Sequence, residues 1–160
     1  MGERQQLHDM LEDFDTVMLV TTRRDGRLNA RPMHVAKLDP NCDLWFLTHD
    51  DEKVKELRAN PVAQVVAQDE MRSWLSLTGH VEILEDRGRV AELWKEPYRA
   101  WFPGGKEDPA IRVLVFRPDY GEYWDQRGTK KVTYALEVAR AYVERRQPRS
   151  DSGEHGTVQL

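Results

Sequence analysis

Two short stretches place charged and hydroxyl groups where they could hold an anion. In "LWFLTHDDEKVKEL" (44–57) an apolar run ends at Thr48, and Lys53 stands five residues on, where a helical pattern begins. Backbone N–H groups at a helix start are unpaired and the helix dipole is positive there, so such a corner attracts phosphate. A lysine in the first turn opposes that dipole unless an anion lies between them. Asp50, Asp51 and Glu52 could satisfy the same N–H groups as caps. On the residues alone, capping and phosphate binding both stay open. The second stretch is "NARPM" (29–33), with Arg31 inside an otherwise apolar strand pattern. An isolated strand arginine normally faces solvent.

A third feature is aromatic. Trp101 and Phe102 precede Pro103, Gly104 and Gly105 in a loop. Loop aromatics of this kind suit covering a flat ring or filling a subunit interface. Trp45, Trp74 and Trp94 fall in regular elements and are read as core. The five histidines are scattered without helical metal-ligand spacing, and with one cysteine no structural zinc site is expected. No nucleophile elbow or P-loop is present, and Gly104-Gly105 follows a proline and not a strand. No catalytic residue is compelled. Cys42 sits in a turn pattern where it could be exposed, with nothing nearby to lower its pKa.

The elements that must position these groups are legible from periodicity. Leu7, Met10, Leu11 and Phe14 at i, i+3, i+4 and i+7 predict a helix over 3–14. Strands are predicted over 16–22, 28–38 and 44–48, joined by the Asp25-Gly26 turn and by "DPNCD". Pro32 cannot donate to a ladder, which makes its strand an edge or an irregular one. The helix after Thr48 is expected to end before Pro61. Further strands are predicted over 62–68, 73–84 (with Gly79 as a bulge or bend), 111–118 and 121–126. A short helix is expected in "DRGRVAELWKE", and a loop over 98–110. Val132, Leu136, Ala139 and Val143 would form the apolar stripe of a last helix over 130–146. Short connections between about seven strands indicate an antiparallel, mainly β protein with flanking helices, closed as a small barrel. Residues 1–146 are expected as one domain and 147–160 as a disordered tail.

With 39% hydrophobic and 32% charged residues the composition is that of a water-soluble globular chain. A net charge of −4 argues against a general nucleic-acid or anionic-membrane binder. No apolar run approaches the roughly 20 residues of a membrane span. The N-terminus lacks a secretory core, and the lone cysteine forms no internal disulfide, so a cytoplasmic location is the expectation.

Taken in order, "DGRLNARPM", "LWFLTHDDEKVKELRANPVAQV", "SWLSLTGHVEIL" and "WFPGGKEDPAIRVLVFRPDYGEYWD" resemble the pyridoxamine 5′-phosphate oxidase-related, FMN-binding split-barrel proteins. Within that family the likeness is to the general stress protein subgroup, over roughly residues 8–126. The resemblance implies a split β-barrel homodimer with flavin sites at its interface. FMN is the implied cofactor, with FAD as the alternative flavin. Arg31, Pro32 and Met33 would run along the flavin, and Phe46, Leu47 and Thr48 would line its ring and ribityl chain. Lys53 would bind the phosphate, with Arg31 completing the cradle. The Trp101–Gly105 loop, including Phe102 and Gly104, would approach from the partner subunit. The chain departs from true pyridoxamine phosphate oxidases beyond "DQRGTK", where their basic substrate-binding segment is replaced by a helical pattern. Vitamin B6 oxidation is therefore not expected. A flavin-dependent oxidoreductase of unknown substrate and a non-catalytic flavin-binding or sensing protein are the two readings. A haem or deazaflavin occupant is a third.

Overall fold

The computed structural model describes residues 2–70, 73–126, 138–145 and 154–160. Its helices are α1 (Glu3–Leu11), α2 (Glu52–Ala59) and α3 (Arg87–Leu93), with a short 3₁₀ helix at Glu96–Ala100. The strands are β1 (Thr16–Thr22), β2 (Leu28–His34), β3 (Lys37–Leu38), β4 (Leu44–His49), β5 (Val62–Gln68), β6 (Ser73–Leu84), β7 (Ile111–Asp125) and β8 (Glu154–Gln159). They form one antiparallel sheet in the order β2-β1-β5-β6-β7-β4-β3, with β8 paired to β7.

That order dictates the shape. β2 and β3 lie at opposite ends of the sheet yet are joined by only Val35 and Ala36. The two ends must therefore meet, and the sheet curls on itself. Val35 N–H donates to the Asp15 carbonyl and Ala36 N–H to that of Trp45, each at 2.8 Å, which pins the join. β2 and β4 face each other there without a ladder between them. This curled half-barrel with its unpaired seam is the split-barrel fold that the family resemblance implies, where strand pattern alone had indicated a closed barrel.

The interior follows strand alternation. Val17 and Leu19 of β1, Val65 of β5, and Leu75 and Leu77 of β6 point inward, and Leu7, Met10 and Leu11 of α1 close one end. A second cluster lies outside the barrel, where Trp45, Val113 and Val115 meet Val90 and Leu93 of α3 and Tyr98 and Phe102 beyond it. β4 and the first half of β7 are thus covered on both faces, which is why "LWFL" and "VLVF" are unbroken apolar runs. Gly79 sits at a register shift between β6 and β7. A Cβ there would strike the Arg117 carbonyl oxygen and lie 2.7 Å from Pro118 Cα, so the bend needs glycine.

Several expectations are corrected. The strand predicted over 28–38 is broken at Val35–Ala36, and those over 111–118 and 121–126 are one continuous β7. The tail is not disordered over Glu154–Gln159: it adds β8 to β7 and buries Val158. Polar composition hid this, because a strand that covers an existing edge needs few apolar residues of its own. Of the last predicted helix, residues 138–143 are helical, while 130–137 and 146 lie outside the described residues. Ala141 is its buried residue, and Ala139 and Val143 are exposed. Positions two apart from Ala141 fall on the opposite side of a helix, so these two members of the expected stripe face outward, while Val132 and Leu136 lie outside the described residues. Cys42, expected as potentially exposed, is fully buried, with φ at +71° in the turn between β3 and β4.

Candidate functional site

A cleft of about 330 Å³ opens at the seam between β2 and β4. β2 contributes Pro32, Met33 and His34, β4 contributes Leu47, Thr48 and His49, and the segment after α3 contributes Tyr98, Trp101 and Phe102. Pro32 leaves the outer edge of β2 irregular at the point where a ligand would lie beside it. The volume lies within the roughly 300–1,000 Å³ of small-molecule sites, and the mixture of flat rings and few polar groups suits a planar ligand.

The aromatic wall is built on the second core cluster. Burial of Tyr98 and Phe102 against Trp94 anchors the loop, and Trp101 projects from it, 62% exposed, at the cleft mouth. Trp101 lies over the His34 ring in an offset stack (centroids 6.2 Å apart, 20° between planes). His34 Nε2 is 3.1 Å from the Tyr98 hydroxyl, and burial pushes the Tyr98 pKa up, which keeps the phenol protonated. On the other side His49 packs edge-on to Phe102 at 4.7 Å and lies 3.4 Å from an Asp108 carboxylate oxygen.

The polar end is formed where β4 runs into α2. Asp51 is the N-cap of α2, its carboxylate accepting from the Lys53 backbone N–H at 3.1 Å. The Lys53 side chain is nine-tenths buried and folds back over this corner. Its ammonium donates to Thr48 Oγ1 and to both Asp51 oxygens, at 3.0 and 2.9 Å. Capping is therefore realised, and by Asp51. The buried ammonium beside a cleft-lining hydroxyl also makes this the end at which an anion would be received.

Six of the ten residues expected at the site line the cleft together: Pro32, Met33, Leu47, Thr48, Trp101 and Phe102. Lys53 touches it through Thr48 and Asp51. The other three do not reach it. Arg31 is held in a closed triangle. Its guanidinium donates to Thr21 Oγ1 (2.6 Å) and Glu56 Oε2 (3.1 Å), while Thr21 donates to the same Glu56 oxygen (2.6 Å). Burial works to raise the Glu56 pKa, but the hydrogen bonds from Thr21 and Arg31 and the guanidinium charge outweigh it, and the net shift is downward. Phe46 points into the barrel core, fully buried, as strand alternation requires of the neighbour of Leu47. Gly104 is packed against the Asp108 side chain. Trp101 and Phe102 also reach the cleft of their own chain, because Tyr98 and Phe102 tie the loop to their own barrel. Thr16, Ala36, Asp51 and Tyr98 also line the cleft, as do His34 and His49, which in the sequence are only two of five scattered histidines. Period-two spacing from Pro32 to His34 was the one available signal.

The sequence matches the family model described as pyridoxamine 5′-phosphate oxidase like over residues 2–149. No curated protein shows significant similarity to it. Among solved structures, a candidate general stress protein 26 from Jannaschia sp. CCS1 is 30% identical, with TM-score 0.73, covering 98% of this chain and 97% of that one. A protein related to general stress protein 26 of B. subtilis, from Clostridium acetobutylicum, is 22% identical with TM-score 0.72, covering 98% and 93%. A heme binding protein from Mycobacterium smegmatis is 17% identical with TM-score 0.62, covering 77% of this chain and 54% of that one.

Proposed function

Because this chain belongs to the pyridoxamine 5′-phosphate oxidase-like family, we propose that it binds FMN in the β2–β4 cleft and acts as a flavin-dependent oxidoreductase linked to the general stress response. The observation that carries this reading is the joining, in one cleft, of a flat aromatic wall with a buried lysine at a helix start. Pro32, Met33, Leu47 and Trp101 would contact the ring, and Thr48, Lys53 and the α2 N–H groups the phosphate. Bound FMN would supply reversible one- and two-electron chemistry. The protein's part is to orient the ring, to exclude water with Trp101 and Phe102, and to keep a protonated Tyr98 hydroxyl against His34 at the cleft wall. Trp101, largely exposed at the mouth, gives a second copy an apolar surface to cover, and we propose a homodimer. A cytoplasmic setting belongs to the same reading, with FAD as the alternative flavin. Oxidation of vitamin B6 does not.

The test is the visible spectrum of the purified protein, before and after addition of FMN and removal of free ligand. Flavin absorbance that stays with the protein supports the proposal, and loss of all flavin overturns it. Reduction of the retained flavin by a reduced nicotinamide then separates an oxidoreductase from a protein that only stores or senses flavin. Sedimentation gives the dimer. One observation favours a second occupant: His34 and His49 both line the cleft, and either could serve as the axial ligand of a haem. A Soret band after haem addition, with no flavin retained, would decide for it.

A further inference from the structure

Lys53 is the cation through which the cleft would hold a phosphate, and it is already matched. Both oxygens of Asp51 lie within 3.0 Å of its ammonium. No lysine or arginine is among the described residues that line the cleft, and Lys53 meets it only through Thr48 and Asp51. The neighbouring acids are engaged elsewhere, Asp50 with Arg58 and Arg112, and Glu52 with Lys55. Arg31, which would have added a second positive charge, is committed to Glu56. The Lys53 end of the cleft is therefore close to neutral, with the Asp51 carboxylate in the cleft lining beside the lysine.

Resting on the flavin reading of this same cleft, we propose that Asp51 is a specificity residue that selects the cofactor by the charge of its first phosphate. A terminal phosphomonoester carries about 1.5–2 negative charges near neutral pH. In FAD the first phosphate is an internal diester carrying one, and the second charge lies one phosphate further from Asp51. A fixed carboxylate sharing the same lysine penalises the first more than the second, since like-charge repulsion scales with the ligand's charge. Asp51 is half exposed, which moderates the effect without removing it. Asp51 thus lowers the affinity for FMN more than that for FAD, and leaves riboflavin, which has no phosphate, unaffected.

The experiment compares wild type with Asp51→Asn by flavin-fluorescence titration, using riboflavin, FMN and FAD. Asparagine caps a helix as well as aspartate does, so the α2 N-terminus is kept while the charge goes. Asp51→Ser, a second uncharged cap, guards against an effect peculiar to the amide, and melting curves confirm folding. FMN affinity should rise about 5–10-fold and FAD affinity about 2–3-fold, with riboflavin unchanged, in keeping with a partly screened pair of charges. An equal gain for all three flavins, or none for FMN, overturns the role of Asp51 while leaving the flavin site standing. Absence of flavin binding in wild type and variants alike overturns the site, and this proposal with it.

Discussion

In the flavin reading Lys53 carries the most weight of any single side chain, because it is the buried cation beside the cleft-lining Thr48 and Asp51. Removing it should weaken FMN by about 1.5–3 kcal/mol, the range for a hydrogen bond to a charged group. Lys53→Ala is therefore expected to lose roughly 10–100-fold in FMN affinity by fluorescence titration while riboflavin changes little. Equal affinity for FMN would remove Lys53 from the site. At this scale the sequence was informative where chemistry is local. Thr48 and Lys53 lie five residues apart, and their meeting needs only a strand followed by a helical turn. Trp101 and Phe102 were legible because aromatics before Pro-Gly-Gly mark a loop. Arg31 was not, since its true partners are 10 and 25 residues distant and only folding brings them together. Phe46 stands a single step of strand parity from Leu47, and that step turns its side chain from the cleft into the core.

The Arg31–Thr21–Glu56 triangle ties α2 to β1 and β2, and so holds the helix that carries Lys53 against the strand that forms the cleft wall. Glu56→Ala leaves a largely buried guanidinium without its carboxylate and should cost about 3 kcal/mol of stability. Denaturant midpoints measure this, and Glu56→Gln should lose less because it keeps a hydrogen-bond acceptor. The same carboxyl gives the fold a pH dependence of known sign. Its folded pKa lies below the unfolded value of about 4.3, so the unfolded chain takes up the proton first as pH falls. The stabilisation is complete above that unfolded value and is lost as pH drops through the depressed folded one. Wild type should thus lose more stability between about pH 5 and pH 3 than Glu56→Gln does. Gly79 makes the corresponding point for β6, where its place in an alternating strand announced a bend. Gly79→Ala forces a methyl against the backbone of β7, and a loss of about 1–3 kcal/mol is expected by thermal melting.

Across the whole molecule the antiparallel barrel was legible, because short loops between alternating strands leave few other topologies. Its closing strand was not. β8 covers the half of β7 left open where β4 ends, and Tyr123 of β7, bonded to Gln6 of α1, links that end of the sheet to the first helix. Gly156 lies over the Tyr123 ring, where an added methyl would sit 2.7 Å from Cε1. Gly156→Ala should therefore unseat β8 and lower stability by about 1–3 kcal/mol, read as a lower melting temperature.

Cys42 offers a clock for motions of this whole. Its thiol is sealed in the barrel core, and burial raises its pKa, so it is both unreachable and weakly nucleophilic while the barrel is shut. A thiol-reactive dye can label it only during an opening that reaches the core. The labelling rate would then record how often the barrel opens. A ligand seated between β2 and β4 bridges the seam by which the sheet could part, so the rate should fall as FMN is added. The slowing would measure the cofactor as a staple across the barrel, independently of any reaction it performs.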